Sequence, residues 1–117
     1  MNLCVNKKRQ ASSGGDFVVI YEADIEMTAN ADVLVSFAGV YPTDACPDQV
    51  QLAKDAIRLG AIRVLQPRGV GAVIRVRRIV INDVDFNPQM FERFTADELQ
   101  RLLGETATAH DITPESN

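Results

Sequence analysis

The alternation of apolar and polar residues from Phe17 to Thr28 is the feature that most constrains how this chain can fold. Successive side chains of a β-strand point to opposite faces, so a period of two places one set against a core and the other in water. The apolar set is Phe17, Val19, Tyr21, Ala23, Ile25 and Met27. The opposite set includes Glu22, Asp24 and Glu26. The segment therefore predicts one long strand with a wet, acidic face.

A second strand is predicted directly after the first. The segment Asn30-Ala31-Asp32 has the residue types of a tight turn. From Val33 to Tyr41 the alternation resumes, with Val33, Val35 and Phe37 on one face and Ser36 and Ala38 on the other. Because so short a turn joins the two strands, we expect them to pair as an antiparallel hairpin.

The apolar period changes from two to about 3.6 after Pro47, which indicates an amphipathic helix. Pro47 suits the first helical position, and Pro67 with Gly69 marks the end, which gives a helix of roughly 18 residues. Gly60 lies in the helix interior, where glycine costs about 1 kcal/mol relative to alanine. We therefore expect Gly60 to allow close packing of this helix against a sheet.

The segment from Val70 to Val84 predicts a third long strand, rich in valine and isoleucine. Its alternation slips near Arg77, because Arg75, Arg77 and Ile79 would otherwise share one face. A β-bulge at that point would let both halves of the strand bury their apolar side.

A second helix is predicted after Asn87-Pro88, which suits a cap followed by a first-position proline. Thr95 and Glu98 have the spacing of a capping box, and Gly104 is the expected C-terminal stop. The order is thus strand, strand, helix, strand, helix. An α+β fold, a two-layer α/β sandwich with both helices on one face of the sheet, satisfies this order most simply.

A chain of 117 residues has the usual size of one domain. We expect a single α+β domain at 16–104, a flexible basic arm at 1–15 and a flexible polar tail at 105–117. No apolar run approaches the roughly 20 residues of a membrane-spanning helix, and the N-terminus lacks the apolar stretch of a signal peptide. These features predict a cytoplasmic protein that does not bind membranes.

The region from Asp48 to Val84 combines a helix carrying Ala56-Ile57-Arg58-Leu59-Gly60, a turn at Arg68-Gly69-Val70-Gly71 and a long basic and apolar strand. In these features it resembles the fourth domain of elongation factor G, over about a third of the chain. The resemblance implies the ribosomal protein S5 domain 2-like fold, in which strands precede a helix, a strand and a helix. It also implies a helix that links parallel strands through a left-handed crossover. The chain has no GxxxxGK[ST] phosphate loop, so the resemblance concerns the fold and not GTPase activity.

Positive charge is concentrated between Lys54 and Arg78, a segment with net charge +6 in a chain of net charge −4. Arginine binds phosphates and carboxylates with two parallel hydrogen bonds, so the segment predicts a face for an anionic partner. The candidate residues are Arg63, Arg68, Arg75, Arg77 and Arg78. The competing interpretation is that the last three pair across the sheet with Glu22, Asp24 and Glu26. A sequence pI near 4.9 favours this internal pairing over nucleic-acid binding.

Other residues have the chemistry of catalytic or metal sites. Cys46 could be a thiol at a helix N-terminus, although a plain cap position is the favoured interpretation. Asp83 and Asp85 on one strand face could form an acid–base or metal site, although solvated strand-end acids are favoured. The turn at residues 68–72 indicates a helix end more than an anion cradle, and His110 lies in the predicted tail. We therefore predict no catalytic site, no cofactor and no metal.

These observations favour a small non-enzymatic binding or adaptor domain, which recognises an acidic protein or RNA through its arginine-rich segment. The alternative is an interaction domain that binds other proteins, or a second copy in a homodimer, through exposed sheet edges. A small enzyme that uses Asp83 and Asp85 is the third hypothesis.

Overall fold

The computed structural model describes residues 1–9 and 16–115, the side chains of 105–115 excepted. It is an α+β domain in which a mixed five-stranded sheet carries two helices on one face, and this confirms the predicted two-layer α/β sandwich. The strands are β1 (Asn2–Arg9), β2 (Phe17–Thr28), β3 (Val33–Phe37), β4 (Val40–Tyr41) and β5 (Gly71–Val80). The helices are α1 (Pro47–Leu65) and α2 (Pro88–Glu115), and a 3-10 turn, Gln66–Arg68, follows α1. Within the described residues, no helix has both the length and the apolar character needed to cross a membrane.

The N-terminal segment is part of the sheet. Residues 2–9 form β1, antiparallel to β2, so the prediction of a flexible arm is wrong for them. Leu3 and Val5 are buried on the helix-covered side, and these two apolar positions are too few for a period of two to be recognised in the sequence. Residues 10–15 of the predicted arm lie outside the described residues.

The predicted β2–β3 hairpin is wrong, because β5 lies between the two strands. The strand order is β1-β2-β5-β3; β5 runs antiparallel to β2 and parallel to β3. Strand β5 begins at Gly71, which lies against the main chain of the loop that joins β2 to β3. A Cβ there would lie 2.1 Å from the carbonyl oxygens of both Asn30 and Asp32. The glycine therefore allows the loop to close around the start of β5.

Helix α1 confirms the prediction of a helix that begins at Pro47, and it lies between the short strand β4 and β5, which run parallel, as β3 and β5 do. A helix thus links parallel strands, and the handedness of this crossover stays a prediction. Gly60 packs against α2 and not against the sheet, as its added Cβ would lie 2.4 Å from the Glu92 carbonyl oxygen. The close approach expected at Gly60 is present, with the other helix as the partner.

The bulge in the third strand is confirmed. Glu22 of β2 pairs with Arg78, whereas the next residue, Ala23, pairs with Val76. Arg77 is therefore the extra residue, and both Val76 and Ile79 on either side of it are fully buried.

Helix α2 begins at Pro88 as expected, but Thr95 does not cap it. Thr95 lies inside the helix, where it is fully buried and its Oγ1 is 2.5 Å from the hydroxyl of Tyr21. Burial raises the pKa of Tyr21 well above its ordinary value, so this hydroxyl stays neutral and joins the helix layer to the sheet. The backbone continues as helix past Gly104 to Glu115, so the expected stop is wrong, and residues 116 and 117 lie outside the described part.

Candidate functional site

The face of the sheet that the helices leave uncovered carries a ladder of ion pairs. Arg75 pairs with Glu26 at 3.4 Å, and Arg77 lies 3.6 Å from Glu22. Arg77 also contacts Asp24 closely, and Arg78 lies 4.0 Å from Glu22. The cross-strand pairing considered for these three arginines is therefore present. Whether the same side chains also bind a partner stays a prediction.

Arg77 dominates this ladder because the bulge brings it between two acids. Its hydrogen bond to Asp24 holds the pKa of that carboxyl below the ordinary range and raises the pKa of the guanidinium. All of these side chains are about half exposed, with relative accessibilities between 41% and 66%. Exposed pairs of this kind contribute little to stability, because water screens both charges. The ladder mainly neutralises the face.

The five candidate arginines do not converge on one surface. Arg63 of α1 pairs with Glu92 of α2 at 3.2 Å, within the helix layer. Arg68 is exposed in the 3-10 turn after α1 and has no ion pair with a described residue. Three candidates thus lie on the uncovered face of the sheet and two lie along α1 and its end.

The predicted carboxylate pair is not on a strand. Strand β5 ends at Val80, and Asp83 and Asp85 lie in the bend that follows. The Asn82 side-chain oxygen shapes this bend by accepting hydrogen bonds from the backbone N–H groups of Val84 and Asp85, at 3.0 and 3.1 Å. The strand-face geometry on which the enzyme hypothesis depended is therefore absent.

Cys46 occupies the N-cap position of α1 and is exposed, with no capping hydrogen bond from its side chain. It lines a cavity of about 250 Å³ together with Asp44, Gln49 and Asp83. In the described part of the chain, no three metal-ligating side chains cluster. His110 falls among the side chains that the structure does not describe.

The outer edge of β3 offers a different kind of site. Ala72 N–H donates to the Asp32 carbonyl at 3.0 Å, and Ala38 N–H donates to the Val76 carbonyl at 2.8 Å. In a parallel ladder this alternation directs the main-chain groups of residues 34 and 36 toward β5. The N–H and C=O groups of Val33, Val35 and Phe37 consequently point away from the sheet. The strand itself contains no charged residue and no proline.

Two cations of α1 lie beside this edge. The Arg58 Nε–H donates to the Val33 carbonyl at 3.0 Å, and the Lys54 ammonium lies 5.4 Å from the centre of the Phe37 ring. A cavity of about 170 Å³ adjoins Arg58 at the start of β3. The residues that line it include Asp32, Ile62 and Gln66. Outward main-chain groups, two cations and a small cavity thus form one site, here named the β3 edge.

Sequence reasoning missed the β3 edge, although Lys54 and Arg58 belong to the predicted basic segment. The prediction of a β2–β3 hairpin gave Val33–Phe37 the wrong neighbouring strand, β2 in place of β5. The spacing of four between Lys54 and Arg58 showed that they share one side of a helix. The strand next to Lys54 and Arg58 depends on the position of β5 between β2 and β3, and no local sequence pattern predicted that position.

The chain matches no known family model and no curated protein at a significant level. The likeness to the fourth domain of elongation factor G therefore stays a prediction.

Proposed function

We propose that this domain is a protein-binding module that takes up an extended segment of a partner protein as an additional strand on the β3 edge. The observation that carries the proposal is the set of outward main-chain groups at Val35 and Phe37. Strand addition obtains affinity from such groups and specificity from the pockets next to them. The proposal assigns binding to the sheet edge, because three of the candidate arginines already neutralise acids of the same chain.

The surroundings of the β3 edge suit an added strand. Val35 and Phe37 are half-buried against the helix layer, whereas Leu34 on the uncovered face is 62% exposed. A strand laid beside β3 would alternate its side chains between the flank of α1 and the surface next to Leu34. Five residues at about 3.3 Å each make an edge of roughly 17 Å, which a peptide of eight residues covers.

A library of extended eight-residue peptides tests the proposal, with binding followed by amide hydrogen exchange. We expect binding peptides to protect the amides of Val35 and Phe37. The variant Val35→Pro removes one outward donor and should weaken binding at least tenfold, because proline has no N–H group.

The matched control is Asn6→Pro on the opposite edge of the sheet. Met1 and Ile25 exchange main-chain hydrogen bonds at 2.8 and 3.1 Å, and the antiparallel alternation then points the Asn6 N–H outward from β1. This control should bind peptides as the wild type does. If Val35→Pro does not fold, peptides N-methylated at alternate positions make the same test on the wild-type protein. Binding that survives both changes, or protection confined to β1, would contradict strand addition at β3.

A further inference from the structure

We infer that the segment bound at the β3 edge is acidic, with carboxylate side chains at two alternate positions that face α1. This inference rests on the proposed function and adds the chemistry of the partner. It is carried by the positions of Lys54 and Arg58, which lie on the one flank of α1 that borders β3.

Both cations have hydrogen-bonding capacity left for a partner. Arg58 has five N–H donors, of which the Nε–H serves the Val33 carbonyl. The Lys54 ammonium lies over the Phe37 ring, a contact that leaves its donors accessible. Neither cation forms an ion pair with any residue that the structure describes.

Nearby acids do not cancel the two cations. The Asp55 carboxylate accepts a hydrogen bond from Gln51 at 2.9 Å. Asp32 borders the same cavity as Arg58. Among the described residues, Asp32 and Arg58 do not form an ion pair with each other. The flank therefore keeps a positive character in a chain whose net charge is −4.

The spacing of the two cations matches the repeat of a strand. Four residues along a helix rise about 6 Å, and two residues along a strand rise about 6.6 Å. Acidic residues at positions i and i+2 of an added strand would thus meet Lys54 and Arg58 together. Since Arg58 already occupies the Val33 carbonyl, the added strand would pair with Val35 and Phe37.

A second copy of this chain fits the β3 edge less well. Its own β3, Val33–Phe37, contains no acidic residue, and only Asp32 directly before it could approach a cation of the first copy. Self-pairing would leave one of the two cations without an acid in each copy. A separate segment with two acidic residues would place a carboxylate next to each of the two cations, Lys54 and Arg58.

Three capped eight-residue peptides of alternating valine and threonine test the inference by fluorescence anisotropy. The first carries glutamates at positions i and i+2, the second carries glutamines there, and the third carries lysines. We expect the glutamate peptide to bind about tenfold more tightly than the glutamine peptide, as two partly exposed charge pairs allow. The preference should shrink as salt rises, because salt screens exposed pairs.

Charge reversal on the protein gives the matching test. The double variant Lys54→Glu with Arg58→Glu should lose the preference for glutamate and prefer the lysine peptide. Arg63→Glu, a reversal at an exposed position of α1 that pairs with Glu92 of α2 and not with the β3 edge, should keep the wild-type preference. If the double reversal does not fold, Lys54→Gln with Arg58→Gln should bind the glutamate and glutamine peptides equally.

Three results would overturn the inference, and they separate it from the proposed function. Equal affinity of the glutamate and glutamine peptides, with both lost in Val35→Pro, would keep strand addition and reject the acidic partner. No binding of any peptide and no protection of β3 amides would reject both. A dimer seen by light scattering that Val35→Pro dissociates would make a second copy the occupant.

Discussion

The two edges of the sheet differ in where their charge lies. Strand β1 carries three consecutive cations, Lys7, Lys8 and Arg9, on the strand itself. Strand β3 has no charged residue, and the cations beside it come from α1. Both strands leave alternate main-chain groups unpaired by the sheet, since each has a single strand neighbour.

This difference shows two ways of treating a sheet edge. Lysines and arginines on an edge strand oppose pairing with another chain, because the new strand would have to approach or bury them. On β1 the charge is part of the edge and protects it. On β3 the charge lies at the side, where it caps one carbonyl, that of Val33, and leaves Val35 and Phe37 accessible. The charge thus protects β1 against pairing, whereas on β3 it lies beside the edge at which we propose that a partner binds.

The largest expected effect comes from disturbing the contact between the start of β5 and the loop that joins β2 to β3. In Gly71→Ala the new methyl would lie 2.1 Å from two carbonyl oxygens of the β2–β3 loop, so the loop or β5 must move. We expect a loss of about 3 kcal/mol or more in the free energy of unfolding, measured by urea denaturation. The control Gly104→Ala, with nothing within 4 Å of its added Cβ, should change stability by less than about 1 kcal/mol. Equal stability of the two variants would contradict the close approach at Gly71.

A smaller effect is expected from truncating one leucine on each edge strand, because Leu3 of β1 is buried and Leu34 of β3 is exposed. Leu3 of β1 is fully buried, so Leu3→Ala should lower the free energy of unfolding by about 2–5 kcal/mol. Leu34 of β3 is 62% exposed, so Leu34→Ala should change it by no more than about 0.5 kcal/mol. Thermal or urea denaturation measures both. A Leu3→Ala variant as stable as the wild type would mean that residues 2–9 do not pack as a strand.

The smallest effect concerns the ladder between the two edges. The hydrogen bond from Arg77 lowers the folded-state pKa of Asp24 below the unfolded value of about 3.9. The stabilisation from this carboxylate is therefore present above that value and is lost as the pH falls through the lower folded-state pKa. Carboxyl-carbon NMR titration should show the depressed pKa in the wild type and its return toward the ordinary value in Arg77→Ala. Arg75→Ala, which leaves the main contact intact, should keep most of the depression, and an unchanged Asp24 in Arg77→Ala would assign the shift to another group.

Local patterns predicted several elements correctly. The alternation from Phe17 to Thr28 predicted β2, and Pro47 predicted the start of α1. The broken alternation around Arg77 predicted the bulge, because burial of the apolar side on both halves of a strand requires an extra residue. The opposite charges on β2 and β5 likewise suggested the ion pairs of the uncovered face.

The candidate site was less predictable from the sequence. The basic segment contained Lys54 and Arg58, but the arginines singled out from it are dispersed over two faces of the domain. Thr95 had the spacing of a capping residue, yet burial against Tyr21 placed it inside α2. In each case a long-range contact decided the role of a residue whose local pattern suggested another.

The sequence by itself determined that β2, α1, β5 and α2 form and which side of β2 and β5 is buried, because side-chain polarity repeats with the period of the backbone. Only the tertiary structure decided which strands are neighbours and which edges stay open. Main-chain donors and acceptors are the same at every residue except proline, so their pairing leaves little trace in the side-chain pattern. The β3 edge is made of such groups, and its position follows from the place of β5 between β2 and β3, which the absence of a side chain at Gly71 allows.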